Sequence, residues 1–217
     1  ASFNVCTSPI QLNPTNLIDG AHAFMVTAQD KVGNMAKTPA LFNWTVDTLP
    51  PITTIDTATD SNKSAVSNDG ITNSTSLTFT FSGSDNGVGI HNYECSLDSS
   101  NFTACTSPVR YDNLTNGIHG FDVVAEDKVG NKGSAPSSFN WTTDTEPPST
   151  SIFSATAGDN KIMVPGTNTS SNSVTFEFSA NDTGGSEDKG VGIKQYECSL
   201  DKSNFSTCSS PVKFSST

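Results

Sequence analysis

The residues of this chain best suited to chemistry are acids standing singly or in pairs beside turn residues. Asp47 sits in Val46-Asp-Thr-Leu-Pro-Pro51, Asp85 in Ser84-Asp-Asn-Gly-Val-Gly89 and Asp127 in Glu126-Asp-Lys-Val-Gly-Asn131. Asp30, Asp144, Asp182 and Asp188 occupy related contexts. Carboxylate oxygens are hard donors, and several converging on one point suit Ca²⁺, which takes oxygen ligands at about 2.3–2.6 Å. Each Asp also has a plainer use, because a turn Asp accepts backbone N–H bonds from the residues that follow it. The spacing is far looser than in an EF-hand, which packs its ligands into a loop of about 12 residues.

Catalytic sets are not written here. The histidines are His22, His91 and His119, and no neighbourhood joins one of them to a nucleophile and an orienting acid. Gly87-Val-Gly89 lies between predicted strands and opens no helix, so it does not read as a phosphate cradle. A non-enzymatic segment is expected. The formal net charge of −11 opposes nucleic acid and acidic membranes and attracts cations. No apolar run approaches the roughly 18 residues of a membrane span, and no signal peptide is visible.

Cys95 and Cys105 flank a hairpin-like segment, and Cys198 and Cys208 repeat the spacing. A zinc site would want further Cys or His nearby. A local disulfide at each pair fits better and points to an oxidising compartment. Asn-x-Ser/Thr sequons occur at Asn43, Asn62, Asn73, Asn101, Asn113, Asn140, Asn168, Asn181 and Asn204. Asn43 and Asn140 each precede a Trp, and on a strand that buries the Trp the Asn points outward, where a glycan could attach.

These residues belong to a repeated text. Cys6-Thr-Ser-Pro, Gly20-Ala-His-Ala-Phe, Asp30-Lys-Val-Gly-Asn34 and Phe42-Asn-Trp-Thr-Val-Asp-Thr-Leu-Pro-Pro51 return as Cys105-Thr-Ser-Pro, Gly117-Ile-His-Gly-Phe, Asp127-Lys-Val-Gly-Asn131 and Phe139-Asn-Trp-Thr-Thr-Asp-Thr-Glu-Pro-Pro148. Tyr93-Glu-Cys-Ser-Leu-Asp and Phe102-x-x-Cys-x-Ser-Pro108 return at Tyr196 and Phe205. A period near one hundred residues exceeds a solenoid unit and matches a small sandwich domain of about 100 residues. The expected domains are a C-terminal half-repeat at 1–48, a complete repeat at 49–146 and an N-terminal half-repeat at 147–217. The odd cysteine, Cys6, corresponds to Cys105 and Cys208, so the segment reads as part of a longer protein whose Cys6 partner lies upstream; a free thiol is the alternative. A half-repeat cannot bury a core alone. Flanking sequence is the simpler source of the missing half, and strand exchange with a neighbouring copy is the other.

Within the complete repeat, Ile52–Thr57 reads as an edge strand, Asp60–Thr75 as a polar surface loop, and Leu77-Thr-Phe-Thr-Phe81 as a half-buried strand by its alternation. Further strands are expected over His91–Leu97, near Val109–Tyr111, over His119–Ala125 and over Phe139–Thr143. Seven or so short strands with turn signals between them and no helical period predict an all-β antiparallel sandwich.

At this point the chain resembles the bacterial and archaeal Ig-like tandem repeat of very large surface proteins. The matching words are Tyr-Glu-Cys-Ser-Leu-Asp, Phe-x-x-Cys-x-Ser-Pro, Leu-x-x-Gly-x-His-x-Phe, Ala-x-Asp-Lys-Val-Gly-Asn and Trp-Thr-x-Asp-Thr-x-Pro-Pro, and they cover essentially the whole chain. Asp60–Thr75 and Asn181–Lys189 look like insertions into a minimal repeat. The resemblance implies tandem Ig-like sandwiches joined by short Pro-Pro linkers, in an extracellular, non-catalytic segment of a coat, filament or stalk; the spacer or binding region of a cell-surface adhesin is the alternative, with Asp60–Thr75 as its recognition loop. In such a sandwich the loop holding Asp85, the turn holding Asp127 and the incoming linker holding Asp47 share one pole. The resemblance supports calcium there, as related repeats often carry it at junctions. Asp144 with Asp182 or Asp188 would form the next junction, and Asp30 is the matching turn residue of the first fragment. Self-association, or contact with neighbouring repeats, is the expected partnership, with a glycan or protein ligand reached through the parent protein.

Overall fold

The computed structural model of the chain describes residues 4–12, 17–182 and 192–215. Every regular element among them is a β-strand. In chain order these are β1 (Gly20–Val26), β2 (Ala40–Val46), β3 (Ile52–Asp60), β4 (Gly70–Thr72), β5 (Leu77–Ser84), β6 (Ile90–Leu97), β7 (Thr103–Cys105), β8 (Val109–Tyr111), β9 (Gly117–Asp127), β10 (Ser137–Thr143), β11 (Ser149–Ala157), β12 (Ser173–Asn181), β13 (Tyr196–Cys198), β14 (Ser206–Cys208) and β15 (Val212–Ser215). The sheets have the strand orders β1-β2, β3-β5-β8, β4-β10-β9-β6-β7, β11-β12-β15 and β13-β14. The all-β class and its mainly antiparallel pairing are as the sequence predicts, and the arrangement is consistent with a β-sandwich.

The chain divides into two compact units, one of Ala1–Ala58, Thr78–Arg110 and Gly120–Phe139, the other of Thr59–Leu77, Tyr111–His119 and Asn140–Thr217. In the first, the alternation of β5 sends Phe79 and Phe81 to one side, where they are 0% and 4% exposed. Phe79 stacks on Phe121 of β9 at 4.3 Å between centroids and meets Phe139 of β10 edge-on at 5.4 Å. Such aromatic pairs contribute about 0.5–1.5 kcal/mol beyond their area burial. β6 and β9 pair antiparallel with Leu97 opposite Phe121, Cys95 opposite Val123 and Tyr93 opposite Ala125. β7 lies along β6, with Tyr93 opposite Cys105 and Cys95 opposite Thr103. Cys95 and Cys105 are disulfide-bonded, as are Cys198 and Cys208 in the other unit. Cys6 is a free, exposed thiol. Two disulfides fit an oxidising environment.

In the second unit Trp141 is 1% exposed, and His119 stacks on it at 5.3 Å. His119 donates its Nε2–H to the Thr115 carbonyl at 2.8 Å, so this imidazole is committed to a structural bond. His22 does the same in the first unit, donating to Ile18 O at 2.7 Å and stacking on Trp44 at 5.3 Å. The repeated Asp-Thr-x-Pro-Pro text is anchored in a repeated way. Asn116 Oδ1 accepts both the N–H and the Oγ1–H of Thr145, at 2.9 and 2.8 Å, and Asp19 Oδ1 accepts the same pair from Thr48, at 3.0 and 2.9 Å.

One expectation is corrected. Asp60–Thr75 is not all loop: it carries β4, which pairs in parallel with β10, Gly70 opposite Trp141 and Thr72 opposite Thr143. The segment hides its polarity by bonding to itself. Thr72, Ser74 and Ser76 are buried, Ser74 Oγ donates to Ser76 O at 2.8 Å, and Ser74 N–H donates to Thr72 Oγ1 at 3.1 Å. Strand limits also differ at their ends, as β3 runs on to Asp60 and β9 to Asp127. The sequon residues Asn43, Asn62, Asn73, Asn101, Asn113, Asn140, Asn168, Asn181 and Asn204 are all exposed, and Asn43 and Asn140 face away from Trp44 and Trp141 along their strands.

The Cys95–Cys105 bridge closes a short loop across the β6–β7 pair. Replacing both cysteines by Ala is expected to lower unfolding stability by about 2–3 kcal/mol on loop entropy, read from urea midpoints at constant slope. An unchanged midpoint would show that the hairpin is held without the bridge.

Candidate metal centre

Asp47, Asp85 and Asp127 come together in the first unit, each offering a carboxylate oxygen, with these oxygens all within 4.8 Å of one another. Asp47 arrives on the segment after β2, Asp85 on the loop between β5 and β6, and Asp127 at the end of β9. No other group of three or more metal-binding side chains of this kind occurs among the described residues.

Each carboxylate is fixed by its own loop. Asp127 is 1% exposed. Its Oδ1 accepts the N–H groups of Val129 and Asn131 at 2.8 and 2.9 Å, and its Oδ2 accepts Asn131 Nδ2–H at 2.7 Å. Burial pushes this carboxyl up, but the bonds from the Asn131 side chain and from the backbone of Asn131, Val129 and Gly130 outweigh it and leave the group below the usual carboxylate range. Asp85 Oδ2 accepts the N–H groups of Gly87 and Gly89 at 3.0 and 2.7 Å. Asp47 Oδ2 accepts Val88 N–H at 2.8 Å and its Oδ1 accepts Leu49 N–H at 3.2 Å. Asn131 ties two of the three segments, since Nδ2 also donates to the Asp47 carbonyl at 3.1 Å.

Two features go beyond turn chemistry. Asp85 Oδ1 is buried and has no hydrogen-bond partner. An unmatched buried carboxylate oxygen is costly, and here it belongs to a cluster of like charges, which raises the cost. The second feature is Gly87, where an added Cβ would stand 2.0 Å from Asp47 Oδ2. The missing side chain is what lets the Asp47 carboxylate lie against this loop. The Lys128 ammonium lies beside Gly89, where an added Cβ would stand 3.6 Å from Nζ. The donor set is wholly carboxylate oxygen, without His or Cys, and so suits a hard cation over zinc or copper.

Among the described residues, the other predicted ligands are not brought into such a group. Asp30 makes the same turn as Asp127: its Oδ1 accepts Val32 and Asn34 N–H at 3.0 and 2.8 Å, and its Oδ2 accepts Asn34 Nδ2–H at 2.8 Å. The Asn34 side-chain bond, followed by its backbone N–H, draws the Asp30 carboxyl down. Asp144 is buried and accepts Glu146 N–H at 3.0 Å, while Asp182 accepts Gly192 N–H at 2.8 Å. Asp188 lies outside the described residues.

Sequence reasoning missed Gly87 and Asn131 as parts of this site. A signal for Asn131 was present, because it closes the repeated word Asp-Lys-Val-Gly-Asn; none marked Gly87 as the seat of a carboxylate from a distant segment.

No protein-family model and no curated protein matches the chain.

Two outcomes follow from the geometry. Gly87→Ala is expected to push the Asp47 carboxylate away, since that side chain yields more easily than backbone. Hydrogen exchange at the Val88 amide should then speed up while the global melt changes little, and unchanged exchange there would contradict the contact. Asp127 has a lowered carboxyl, so its stabilisation is present above the unfolded value of about 3.9 and is lost as pH falls through the folded one. Urea midpoints from pH 7 to pH 3 should fall less steeply for Asp127→Asn than for the unaltered chain, and parallel slopes would remove Asp127 from the acid transition.

Proposed function

We propose that this chain is a non-catalytic structural segment of an extracellular surface protein, a coat, filament or stalk, built from tandem Ig-like sandwiches and made rigid by calcium where one repeat feeds the next. The observation that carries the reading is the meeting of Asp47, Asp85 and Asp127 with the buried, unpartnered Asp85 Oδ1 among them. Asp47 belongs to the linker text before Pro50-Pro51, whereas Asp85 and Asp127 belong to the repeat that follows it. A cation shared by the three would tie linker to repeat, and its charge would offset their mutual repulsion. The prolines stiffen the same segment, because each ring fixes φ. Two disulfides and exposed sequons support an extracellular setting. No helix among the described residues is long and apolar enough to cross a membrane.

Affinity in the range of extracellular calcium modules, a Kd of about 0.1–1 mM, is expected. At ten times Kd the bound ion would stabilise the fold by about 1.4 kcal/mol. The test is limited proteolysis with millimolar calcium or with chelator, following cleavage within residues 47–52. Calcium should slow that cleavage several-fold, and Asp85→Asn should cleave at the chelated rate in either buffer. Equal rates for the unaltered chain with and without calcium would remove the ion from the reading.

A further inference from the structure

Two Asn-Gly pairs stand in the chain, Asn86-Gly87 and Asn116-Gly117. Asn before Gly is prone to ring closure on itself, because glycine has no side chain to shield its nitrogen. The glycine nitrogen attacks Cγ of the Asn and its proton passes to solvent. The Cγ–Nδ2 bond breaks and ammonia leaves. Water then opens the cyclic imide. Attack at Cγ restores the normal backbone with an Asp side chain, whereas attack at the main-chain carbonyl leaves the chain running through Cγ, as isoaspartate.

The two sites are built differently. Asn116 is half-buried and held by Oδ1 alone, which accepts the Thr145 N–H at 2.9 Å and the Thr145 Oγ1–H at 2.8 Å. Those bonds leave Nδ2, the departing group, untethered among the described residues. Two donors on a carbonyl oxygen draw electrons from its carbon and stabilise the oxyanion that attack creates. Thr145 therefore acts at both steps. It favours attack by Gly117 N on Cγ, and afterwards attack by water on the same carbon, which is the route to normal Asp. Nothing stands within 4 Å of where a Cβ would sit on Gly117.

At Asn86 the attacking nitrogen is encumbered. Gly87 N–H donates to Asp85 Oδ2 at 3.0 Å, and an added Cβ on Gly87 would stand 2.0 Å from Asp47 Oδ2. Two carboxylates beside that N–H oppose loss of its proton.

The chain also contains the product of the reaction. Asp19 stands before Gly20 as Asn116 stands before Gly117, in the repeated words Gly20-Ala-His-Ala-Phe24 and Gly117-Ile-His-Gly-Phe121. Gly20 and Gly117 have φ of 130° and 129°. Asp19 Oδ1 accepts the N–H and Oγ1–H of Thr48 at 3.0 and 2.9 Å. An Asp at position 116 thus fits the same clamp, and its two hydrogen bonds become charge-assisted.

We propose that Asn116 is a self-modification site: in the folded chain it deamidates to normal aspartate, with Thr145 supplying both oxyanion donors, and so takes the form that Asp19 already has. Thr145 lies in the linker text Asp144-Thr-Glu-Pro-Pro148, so the change strengthens the hold of the residue before β9 on that linker. The modification is covalent and independent of any ion.

The test is peptide mapping by mass spectrometry of the full chain aged in mild alkali with chelator, folded and in urea, with isoaspartate scored by its own fragmentation. In urea the two Asn-Gly pairs should convert at similar rates and give mostly isoaspartate. In the folded chain Asn116 should convert several-fold faster than Asn86, although Asn86 is the more exposed, and should give mostly Asp. Thr145→Val, which removes one donor, should slow conversion at Asn116 several-fold and raise its isoaspartate share. Asn116→Asp should keep or raise the urea midpoint. A folded chain in which Asn86 converts first, or in which Asn116 stays intact or gives mostly isoaspartate, would overturn the proposal, as would a lower midpoint for Asn116→Asp.

Discussion

Three like charges held against one another are the constraint around which the Asp47 region is built. Hydrogen bonds from the surrounding loops hold each one in place. Asp127 is pinned by three donors in its own turn, Asp85 by two glycine N–H groups, and Asp47 by Val88 across the gap that Gly87 leaves. Asn131 fastens the Asp47 backbone to the Asp127 turn with a single amide group. A site that only shaped turns would satisfy each carboxylate locally, as the Asp30 turn does with the same word of sequence. Here Asp85 Oδ1 is left over, buried and without a hydrogen-bond partner. In the proposed reading, a hard cation would offset that imbalance.

The apolar side of the molecule follows a parallel logic. Phe79, Phe81, Phe121 and Phe139 form a core only because strands far apart in sequence lie face to face. The same aromatics at Phe24, Phe42, Phe176 and Phe178 keep their strand conformations and lack that closure. The acid cluster, in turn, draws together the segment after β2, the loop between β5 and β6 and the end of β9.

Much of this was legible before any coordinates. The alternation in Leu77-Thr-Phe-Thr-Phe81 gave β5 because a half-buried strand needs period two, and the ten-residue spacing of each cysteine pair gave a local bridge because a hairpin brings such positions together. The acids were legible as a set because each stands in a turn word and the sandwich returns its turns to shared poles. The strand β4 was not legible, since Gly70-Ile-Thr72 is too short to show a period and its buried neighbours are serines and threonines that satisfy one another. Nor was Gly87: glycine in a loop has many causes, and the close approach of a carboxylate from forty residues earlier becomes visible only in three dimensions. The unpartnered Asp85 oxygen is likewise a property of the packed site and of no local sequence.

The central claim is that these three carboxylates share one hard cation, and calorimetric titration of calcium into metal-free chain tests it most directly. The account predicts saturable binding dominated by one ion per chain, with that site lost in Asp85→Asn while Asp30→Asn leaves it intact. Titrations that superpose for the unaltered chain and Asp85→Asn would contradict it.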